Sequence, residues 1–175
     1  MSTERAAPGA SGPEKGNDLL QLVSFFVGHE EFGLEILRVQ EIIRMQPLTR
    51  VPHLPKHVEG VINLRGKIIP VVGLRPRMGL GKQAADKYTR IVVVDVNGLV
   101  VGFVVDSVSE VLRIPSDAIE ATPRLGKTGR DYIYGVGKLD SRLLLLIALE
   151  KLMSETEFGE IKRETIPDTS ESESA

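Results

Sequence analysis

Residues 91–112 read IVVVDVNGLVVGFVVDSVSEVL, and residues 22–43, LVSFFVGHEEFGLEILRVQEII, align with them without a gap. The matched positions are apolar residues, turn residues and one acid: Val23 with Val92, Val27 with Val96, Gly33 with Gly102, Val39 with Val108 and Glu41 with Glu110. Each copy has the pattern of a β-hairpin followed by a further extended segment. The chain therefore contains two similar β units.

A second pair of segments extends the repeat. Residues 60–74 (GVINLRGKIIPVVGL) align with residues 135–149 (GVGKLDSRLLLLIAL), sharing Gly60 with Gly135, Val61 with Val136, Leu64 with Leu139 and Leu74 with Leu149. Short strands at this spacing, closed by turns, are typical of small barrels. Because halves of this size have little core of their own, we expect a mainly β protein whose two barrels share one interior.

Turn dipeptides and apolar runs predict the first hairpin of each copy. Leu22–Val27 and Phe32–Ile36 flank a four-residue loop, GHEE. Ile91–Val96 and Leu99–Val105 flank Asn97-Gly98, which suits a type I′ turn because both central residues need a positive φ. The strands beside Asn97-Gly98 are almost continuously apolar, which indicates that both faces are covered.

The segment after each hairpin, Leu37–Met45 or Ser107–Ile114, reads as a strand. A helix is the alternative for LRVQEII, but the matching VSEVLRI alternates and is rich in β-branched residues. Each copy then has a proline-containing connection with room for one helical turn, LPKHVEG or PSDAIEA.

The second hairpin of each copy turns at Arg65-Gly66 or at Asp140-Ser141. Pro70 cannot donate to a strand ladder, so its strand is expected at a sheet edge or a bulge. Leu149, Leu152 and Met153 recur at helical spacing, which predicts a C-terminal helix from about Leu149.

Composition sets the domain boundaries. Residues 1–17, rich in Gly, Ala, Pro and Ser, are expected to form a disordered arm. The folded domain is expected at 18–153, with one barrel at about 18–85 and the other at about 86–150, and terminal strands able to cross between them. Residues 154–175 carry seven acids and two bases, and they are predicted to form an acidic helix and tail.

Composition and motifs argue against several classes of function. The net charge is −2, no basic block is interleaved with aromatics, and aromatic residues make up 5%, which argues against nucleic-acid binding. There is no cysteine, and His53 and His57 lie among prolines without further ligands, so no metal or other cofactor is expected. No apolar run is long enough to span a bilayer and no signal peptide is visible, so we expect a cytoplasmic protein.

No residue gives an enzyme hypothesis a starting point, since Glu30 and Glu31 lie at a hairpin tip and no serine lies in a nucleophile elbow. Three polar residues remain of interest. Arg65, at a turn between apolar strands, is either a solvated cation or a guanidinium offered to a partner. Glu41 is either an outward strand residue paired with Arg44 or Arg38, or part of a contact surface. Asp106 is expected to cap a turn.

Together these segments resemble the CheW family of chemotaxis coupling proteins. The stretches that carry the resemblance are FGLEILRVQEII, TRVP, GVINLRGKIIPVVGLR, VGFVVDSVSEVL and YIYGVGKLDSRLLLLIALEKL, which together span about residues 20–153. The resemblance implies two five-stranded SH3-like barrels packed around a shared core. It also implies an adaptor without catalysis, which joins the regulatory domain of the histidine kinase CheA to the cytoplasmic tips of methyl-accepting chemoreceptors in receptor arrays.

The resemblance also implies which residues contact partners. Matched residue by residue, they are Val39, Glu41, Ile42, Gly60 and Arg65, with Val108 and Val111 in the second barrel. Two departures are visible: Gly73 replaces the aspartate of the usual VVDLR, and Ala148 stands where a polar residue is common.

Other functions stay open alongside this one. A coupler for a pathway other than motility, such as pilus or developmental signalling, has the same sequence features. A nucleic-acid-binding barrel and an enzyme with a site between the barrels are further alternatives, although the first lacks a basic aromatic face and the second lacks an identifiable acid–base pair.

Overall fold

The computed structural model describes residues 19–55, 57–121, 132–152 and 159–161. The strands are β1 (Leu19–Val27), β2 (Glu30–Glu35), β3 (Val39–Arg44), β4 (Val58–Leu64), β5 (Lys67–Gly73), β6 (Arg90–Val96), β7 (Leu99–Val105), β8 (Ser107–Pro115), β9 (Ile119–Ala121), β10 (Ile133–Lys138) and β11 (Leu143–Ile147). One short helix, α1 (Leu74–Arg77), follows β5, and short 3₁₀ turns span Ile36–Arg38, Ser116–Ala118 and Leu149–Lys151.

The strands form two sheets with matching topology. One sheet has six strands in the order β8-β1-β2-β11-β10-β9, and the other has five in the order β3-β6-β7-β5-β4. Each sheet contains one parallel contact, between β2 and β11 or between β5 and β7, and all other contacts are antiparallel. The fold is mainly β, as predicted, and the two sheets repeat one arrangement. The expectation of five strands in each is wrong for the first sheet, because β9 adds a sixth strand at its edge.

The two copies of the repeat exchange their first hairpins. The β1–β2 hairpin pairs with strands β8 and β11 of the second copy, and the β6–β7 hairpin pairs with strands β3 and β5 of the first. The five-stranded sheet is therefore continuous from Val39 to Val105, while the six-stranded sheet combines both ends of the domain. A domain division near residue 85 remains a prediction. The chain passes from the six-stranded sheet to the five-stranded sheet at Val39 and returns to the six-stranded sheet after Val105.

Three apolar clusters show why the central strands are apolar throughout. In β6, Ile91 and Val93 face the interior of the five-stranded sheet, while Val92, Val94 and Val96 face a larger core. That larger core also contains Phe25 and Phe32 of the other sheet, so it is shared by both. A third cluster, with Leu22, Ile114, Leu144 and Leu146, fills the interior of the six-stranded sheet. The prediction that these strands are covered on both faces is confirmed.

The Asn97-Gly98 turn confirms the predicted type I′ geometry, the Arg65-Gly66 turn has similar positive φ values, and a third turn differs from its prediction. Asn97 and Gly98 have φ values of 52° and 87°, and Arg65 and Gly66 have φ values of 53° and 85°. The predicted four-residue loop GHEE is wrong, because Val27 pairs directly with Glu30 and leaves a two-residue turn. Gly28 makes this short turn possible by adopting a φ of 66°.

The expectation that Pro70 lies at a sheet edge or a bulge is met in part, because β5 is an inner strand but its ladder with β4 has a bulge between Val58 and Gly60, one residue pair from Pro70. Strand β5 lies between β4 and β7. Val61, which faces Pro70, exchanges both of its backbone hydrogen bonds with Thr49 on its other side, so this pair needs no proline N–H. The parallel pairing with β7 begins only at Val71, one residue later. Pro70 thus lies within the sheet at a position where no ladder bond is lost.

The helical predictions have mixed outcomes. The strands over 39–44 and 107–115 are confirmed against the helical alternative. A 3₁₀ turn is found in PSDAIEA, whereas the described part of LPKHVEG contains no helical turn. At the predicted C-terminal helix, Leu149–Lys151 forms a 3₁₀ turn instead, and residues 159–161 are helical. The predicted arm at 1–17 and most of the tail at 154–175 lie outside the described residues.

Candidate functional site

Glu41 and Arg65 form an ion pair across the opening of the five-stranded sheet. The Arg65 guanidinium donates from Nη1 to Oε1 of Glu41 at 2.5 Å and from Nη2 to Oε2 at 2.6 Å. Glu41 lies in β3 and Arg65 in the β4–β5 turn, at opposite ends of the strand order. Because these ends meet, and because Thr49 bridges to Val61 of β4, the sheet curls as a barrel does. The expected pairing of Glu41 with Arg44 or Arg38 is therefore wrong.

The backbone holds Arg65 in an uncommon conformation. Its φ of 53° lies in the left-handed region, which arginine seldom adopts and which costs on the order of 1 kcal/mol for a residue with a side chain. The turn is closed by the Asn63 side chain, whose Oδ1 accepts from the Gly66 N–H at 2.9 Å. This geometry directs Arg65 outward, where its side chain is 70% exposed.

The ion pair shifts the pKa of both groups. The hydrogen bonds and charge of Arg65 lower the pKa of Glu41 below its ordinary value of 4.5. The same contacts raise the pKa of Arg65. Both groups therefore stay charged across the physiological pH range. Because the arginine is largely exposed, the pair contributes little to folding and can exchange partners at low cost.

Val39 and Ile42 lie on the opposite face of β3 from Glu41. Val39 pairs with Val94, and Ile42 pairs with Val92, both of which belong to the shared core. Directly opposed residues of antiparallel strands point to the same face, so Val39 and Ile42 border the shared core. Val39 is partly buried against it, and Ile42 remains 37% exposed.

Val108 and Val111 occupy the equivalent places in β8 of the other sheet. Val108 pairs with Phe25 and packs, partly buried, against the same shared core as Val39. Val111 pairs with Val23 and is 54% exposed. The four apolar residues, Val39, Ile42, Val108 and Val111, thus lie along the two strands that border the shared core. We refer to these four residues as the apolar border.

Gly60 is not part of an exposed surface. It is buried in β4, and a Cβ atom there would lie 2.7 Å from the carbonyl oxygen of Thr49 and 2.9 Å from Cβ of Leu48. The lack of a side chain lets the segment of Leu48 and Thr49 pass close to β4. The structure therefore gives Gly60 a packing role beneath the Arg65 hairpin.

Sequence reasoning did not find a second ion-pair cluster, made by Arg142, Glu31 and Glu110. Arg142 donates from Nε to Oε1 of Glu31 at 2.7 Å and from Nη2 to Oε2 of Glu110 at 3.0 Å. These contacts, first of all the hydrogen bond to Glu31, raise the pKa of Arg142. Glu110 is the repeat equivalent of Glu41, so a search for its arginine in the second hairpin could have found the cluster.

Asp106 has the structural role expected of it. Its Oδ2 accepts from the Gly28 N–H at 2.9 Å and from Nη1 of Arg75 at 2.6 Å. Because Asp106 lies where β7 of one sheet leads into β8 of the other, these bonds tie the β1–β2 turn to that crossover.

Within the described residues, no group of three or more histidine, aspartate or glutamate side chains is placed to hold a metal ion. No helix in that part of the chain has the length and apolar character needed to cross a membrane. What the geometry offers is contact chemistry: a fixed, exposed arginine and an apolar border.

Comparisons with known proteins agree with this description. The family model of the CheW-like domain matches residues 21–157. The chemotaxis protein CheW of Helicobacter pylori is 34% identical over 150 residues, covering 86% of this chain and 91% of that protein. CheW of Klebsiella aerogenes is 38% identical over 140 residues, covering 79% of this chain and 84% of that protein.

A solved structure matches the fold as well. The crystal structure of the scaffolding protein TtCheW from Thermoanaerobacter tengcongensis superposes with a TM-score of 0.74 at 35% sequence identity, covering 80% of this chain and 96% of that one. Two joined β-sheets that expose an ion pair and an apolar border define a non-catalytic interaction module. The chain belongs to the CheW family, and it is a coupling and scaffold protein of chemotaxis signalling.

Proposed function

We propose that this chain joins the regulatory domain of the kinase CheA to the cytoplasmic tips of methyl-accepting chemoreceptors, within receptor arrays in the cytoplasm. The observation that carries the proposal is the exposed Glu41–Arg65 ion pair, which is held at a backbone cost in a chain of this family. A strained residue that contributes little to folding is a candidate for binding.

The ion pair is suited to a folded domain as its partner. Arginine is enriched among the residues that dominate protein interfaces, and its planar guanidinium binds carboxylates and carbonyl groups with defined geometry. Arg65 lies at the tip of a hairpin, where another compact domain can approach without disturbing the strands. We therefore assign the Glu41–Arg65 ion pair to the regulatory domain of CheA.

The apolar border is suited to a helix. An amphipathic helix binds by laying its apolar side along a groove lined with apolar residues. Ile42 and Val111 are exposed, and Val39 and Val108 flank them against the shared core. We assign this surface to the helical tip of a receptor.

Binding measurements with both partners test the proposal. The CheA regulatory domain and a receptor-tip fragment from the same organism are titrated separately into wild type, Arg65→Glu and Ile42→Asp. Arg65→Glu is expected to weaken the kinase domain at least about tenfold, and Ile42→Asp to weaken the receptor fragment by a similar factor. Lys138→Glu is the matched control, since Lys138 is an exposed cation paired with Glu120 at 2.7 Å.

Each outcome has a distinct meaning. If wild type binds neither partner, the coupling function is wrong. If both partners bind but the two variants have exchanged effects, the function stands and the assignment of the surfaces is wrong. If Lys138→Glu weakens binding as much as Arg65→Glu does, the effect is one of overall charge and the site is wrong.

A further inference from the structure

We propose that a cavity beside Glu59 receives one arginine side chain from a protein partner. The cavity has a volume of about 190 Å³, and its wall includes Glu59 and the apolar residues Met45, Leu74 and Val104. This space suits one long side chain and is too small for a folded segment. The site goes beyond the coupling function and shares no residue with the Glu41–Arg65 ion pair or the apolar border.

Glu59 is the charge that selects the occupant. Its side chain is partly buried, and within the described residues it makes no hydrogen bond or ion pair. Its carboxylate lines the cavity without a partner in that part of the chain, so an arginine that enters can form charge-assisted hydrogen bonds with it, and a cation is the group that the cavity favours.

The other charges around the cavity do not meet this need. Arg75 donates from Nη1 to Asp106 at 2.6 Å and from Nε to the carbonyl of Gly81 at 2.8 Å, so Arg75 and Asp106 satisfy each other. Lys82 is exposed and forms no ion pair in the described part of the chain. An exposed, strongly hydrated ammonium gains little by pairing.

Gly73 provides the space beside the carboxylate. A Cβ atom at residue 73 would lie 2.3 Å from Oε2 of Glu59, so the carboxylate occupies the place that a side chain would take. The glycine therefore leaves the cavity beside Glu59 open.

In the six-stranded sheet, the residues equivalent to those beside the cavity form a hydrogen bond with each other. When the repeat alignment is extended by one residue, Glu59 corresponds to Tyr134, Gly73 to Ala148 and Val104 to Glu35. Tyr134 donates its hydroxyl to Oε2 of Glu35 at 3.1 Å. Partial burial, followed by the charge of Glu35, raises the pKa of Tyr134, which therefore stays protonated as a donor. In the five-stranded sheet the two positions are reversed. The acid, Glu59, takes the place of Tyr134, and Val104 takes the place of Glu35, so Glu59 has no hydrogen-bond donor there.

Arginine fits this site better than lysine does. The aliphatic part of its side chain can lie against Met45, Leu74 and Val104, while its guanidinium is weakly hydrated and meets a carboxylate with two parallel donors. The partner class is therefore a protein segment that presents an exposed arginine.

An NMR titration of the full chain tests this inference. The probe is N-acetyl-arginine methylamide, and N-acetyl-norleucine methylamide is its uncharged control. The arginine probe is expected to shift the amide signals of Glu59, Gly73 and Leu74 in a saturable manner with a millimolar Kd, and the norleucine probe to bind at least about fivefold more weakly. Glu59→Gln should remove that preference, and Gly73→Ala should abolish binding by filling the space. Asp117→Asn, an exposed acid elsewhere, is the matched control and should bind as wild type does.

Three results would overturn the proposal: no saturable shift with the arginine probe, equal binding of the two probes, or an unchanged preference in Glu59→Gln. Gly73→Ala and Glu59→Gln act independently, so the failure of one of them to fold leaves the other as a test. None of these results bears on the binding of CheA or receptor fragments, so the coupling function stands or falls separately.

Discussion

The two sheets use an equivalent glutamate in different ways. In the five-stranded sheet, Glu41 binds Arg65, which is 70% exposed. In the six-stranded sheet, its counterpart Glu110 shares Arg142 with Glu31, whose side chain is only 4% exposed. Glu31 corresponds in the repeat to Val100, so the six-stranded sheet has a buried carboxylate where the five-stranded sheet has an aliphatic residue. Arg65 thus lies largely exposed at the surface, whereas Arg142 neutralises a charge inside the fold.

The two hairpins that carry these arginines also differ in backbone strain. Arg65 adopts a positive φ, whereas Arg142 does not. An arginine in a left-handed conformation is disfavoured for folding alone, and a smaller residue such as Asn97 in the β6–β7 turn is better suited. On the proposed function, this difference separates Arg142, which stabilises the protein, from Arg65, which binds a partner.

The largest expected effect is on stability, from Arg142→Met. The substitution leaves the buried carboxylate of Glu31 unpaired, which costs on the order of 2 kcal/mol. The midpoint of thermal unfolding should fall by about 4–8 °C for a domain of this size. Calorimetry provides the measurement. Arg65→Met is the control and should shift the midpoint by less than about 2 °C.

A double variant sharpens this result. Arg142→Met combined with Glu31→Gln should recover part of the lost stability, because the buried charge is then removed as well. Equal losses for Arg142→Met and Arg65→Met would mean that the two arginines have the same role.

The next effect distinguishes the interiors of the two sheets at Gly33 and Gly102. A Cβ atom at Gly102 would lie 2.6 Å from Cγ2 of Ile91, and one at Gly33 would lie 2.9 Å from Cδ2 of Leu144. The β-branched Ile91 cannot rotate away easily, whereas the end of Leu144 can. Gly102→Ala should therefore cost about 2 kcal/mol and Gly33→Ala about 1 kcal/mol, measured by urea denaturation. The reverse order would contradict this view of the packing.

A smaller effect separates binding from folding at Arg65. Arg65→Asn keeps a residue that tolerates positive φ, so the unfolding midpoint should stay within about 2 °C of wild type. Binding to the CheA regulatory domain should nevertheless weaken about tenfold. Thermal unfolding and isothermal titration calorimetry on the same sample provide the check. A variant that binds normally would show that the guanidinium is dispensable.

The smallest effect is the titration of Glu41. Arg65 lowers the pKa of Glu41, so the resulting stabilisation is present above the ordinary pKa of 4.5 and is lost as the pH falls through the lowered value. NMR of the side-chain carboxyl carbon should show this low pKa in wild type and a return towards 4.5 in Arg65→Asn. An identical pKa in both proteins would mean that the ion pair does not persist in solution.

Local sequence features predicted the elements well, because each depends on neighbouring residues. Short-range patterns predicted the Asn97-Gly98 turn, the apolar strands β6 and β7, and the strand over Val39–Arg44. The apolar runs of these strands also indicated correctly that both of their faces are covered.

Features that depend on how the sheets close were not visible in the sequence. Glu41 was expected to pair with Arg44 or Arg38, which are near it in the chain, whereas curling of the sheet brings Arg65 to it from 24 residues away. The position of Pro70 inside a sheet depends on Thr49 binding Val61. The role of Arg142 depends on a hairpin exchange that places β2 beside β11.

The most direct test of the central claim is the charge-swapped variant Glu41→Arg, Arg65→Glu. The swap keeps an ion pair between β3 and the hairpin tip but presents the partner with reversed charges. We expect thermal unfolding close to that of wild type, together with at least a tenfold loss of affinity for the CheA regulatory domain by isothermal titration calorimetry. Wild-type affinity in a folded charge-swapped protein would show that this ion pair is structural and that the CheA regulatory domain binds another surface.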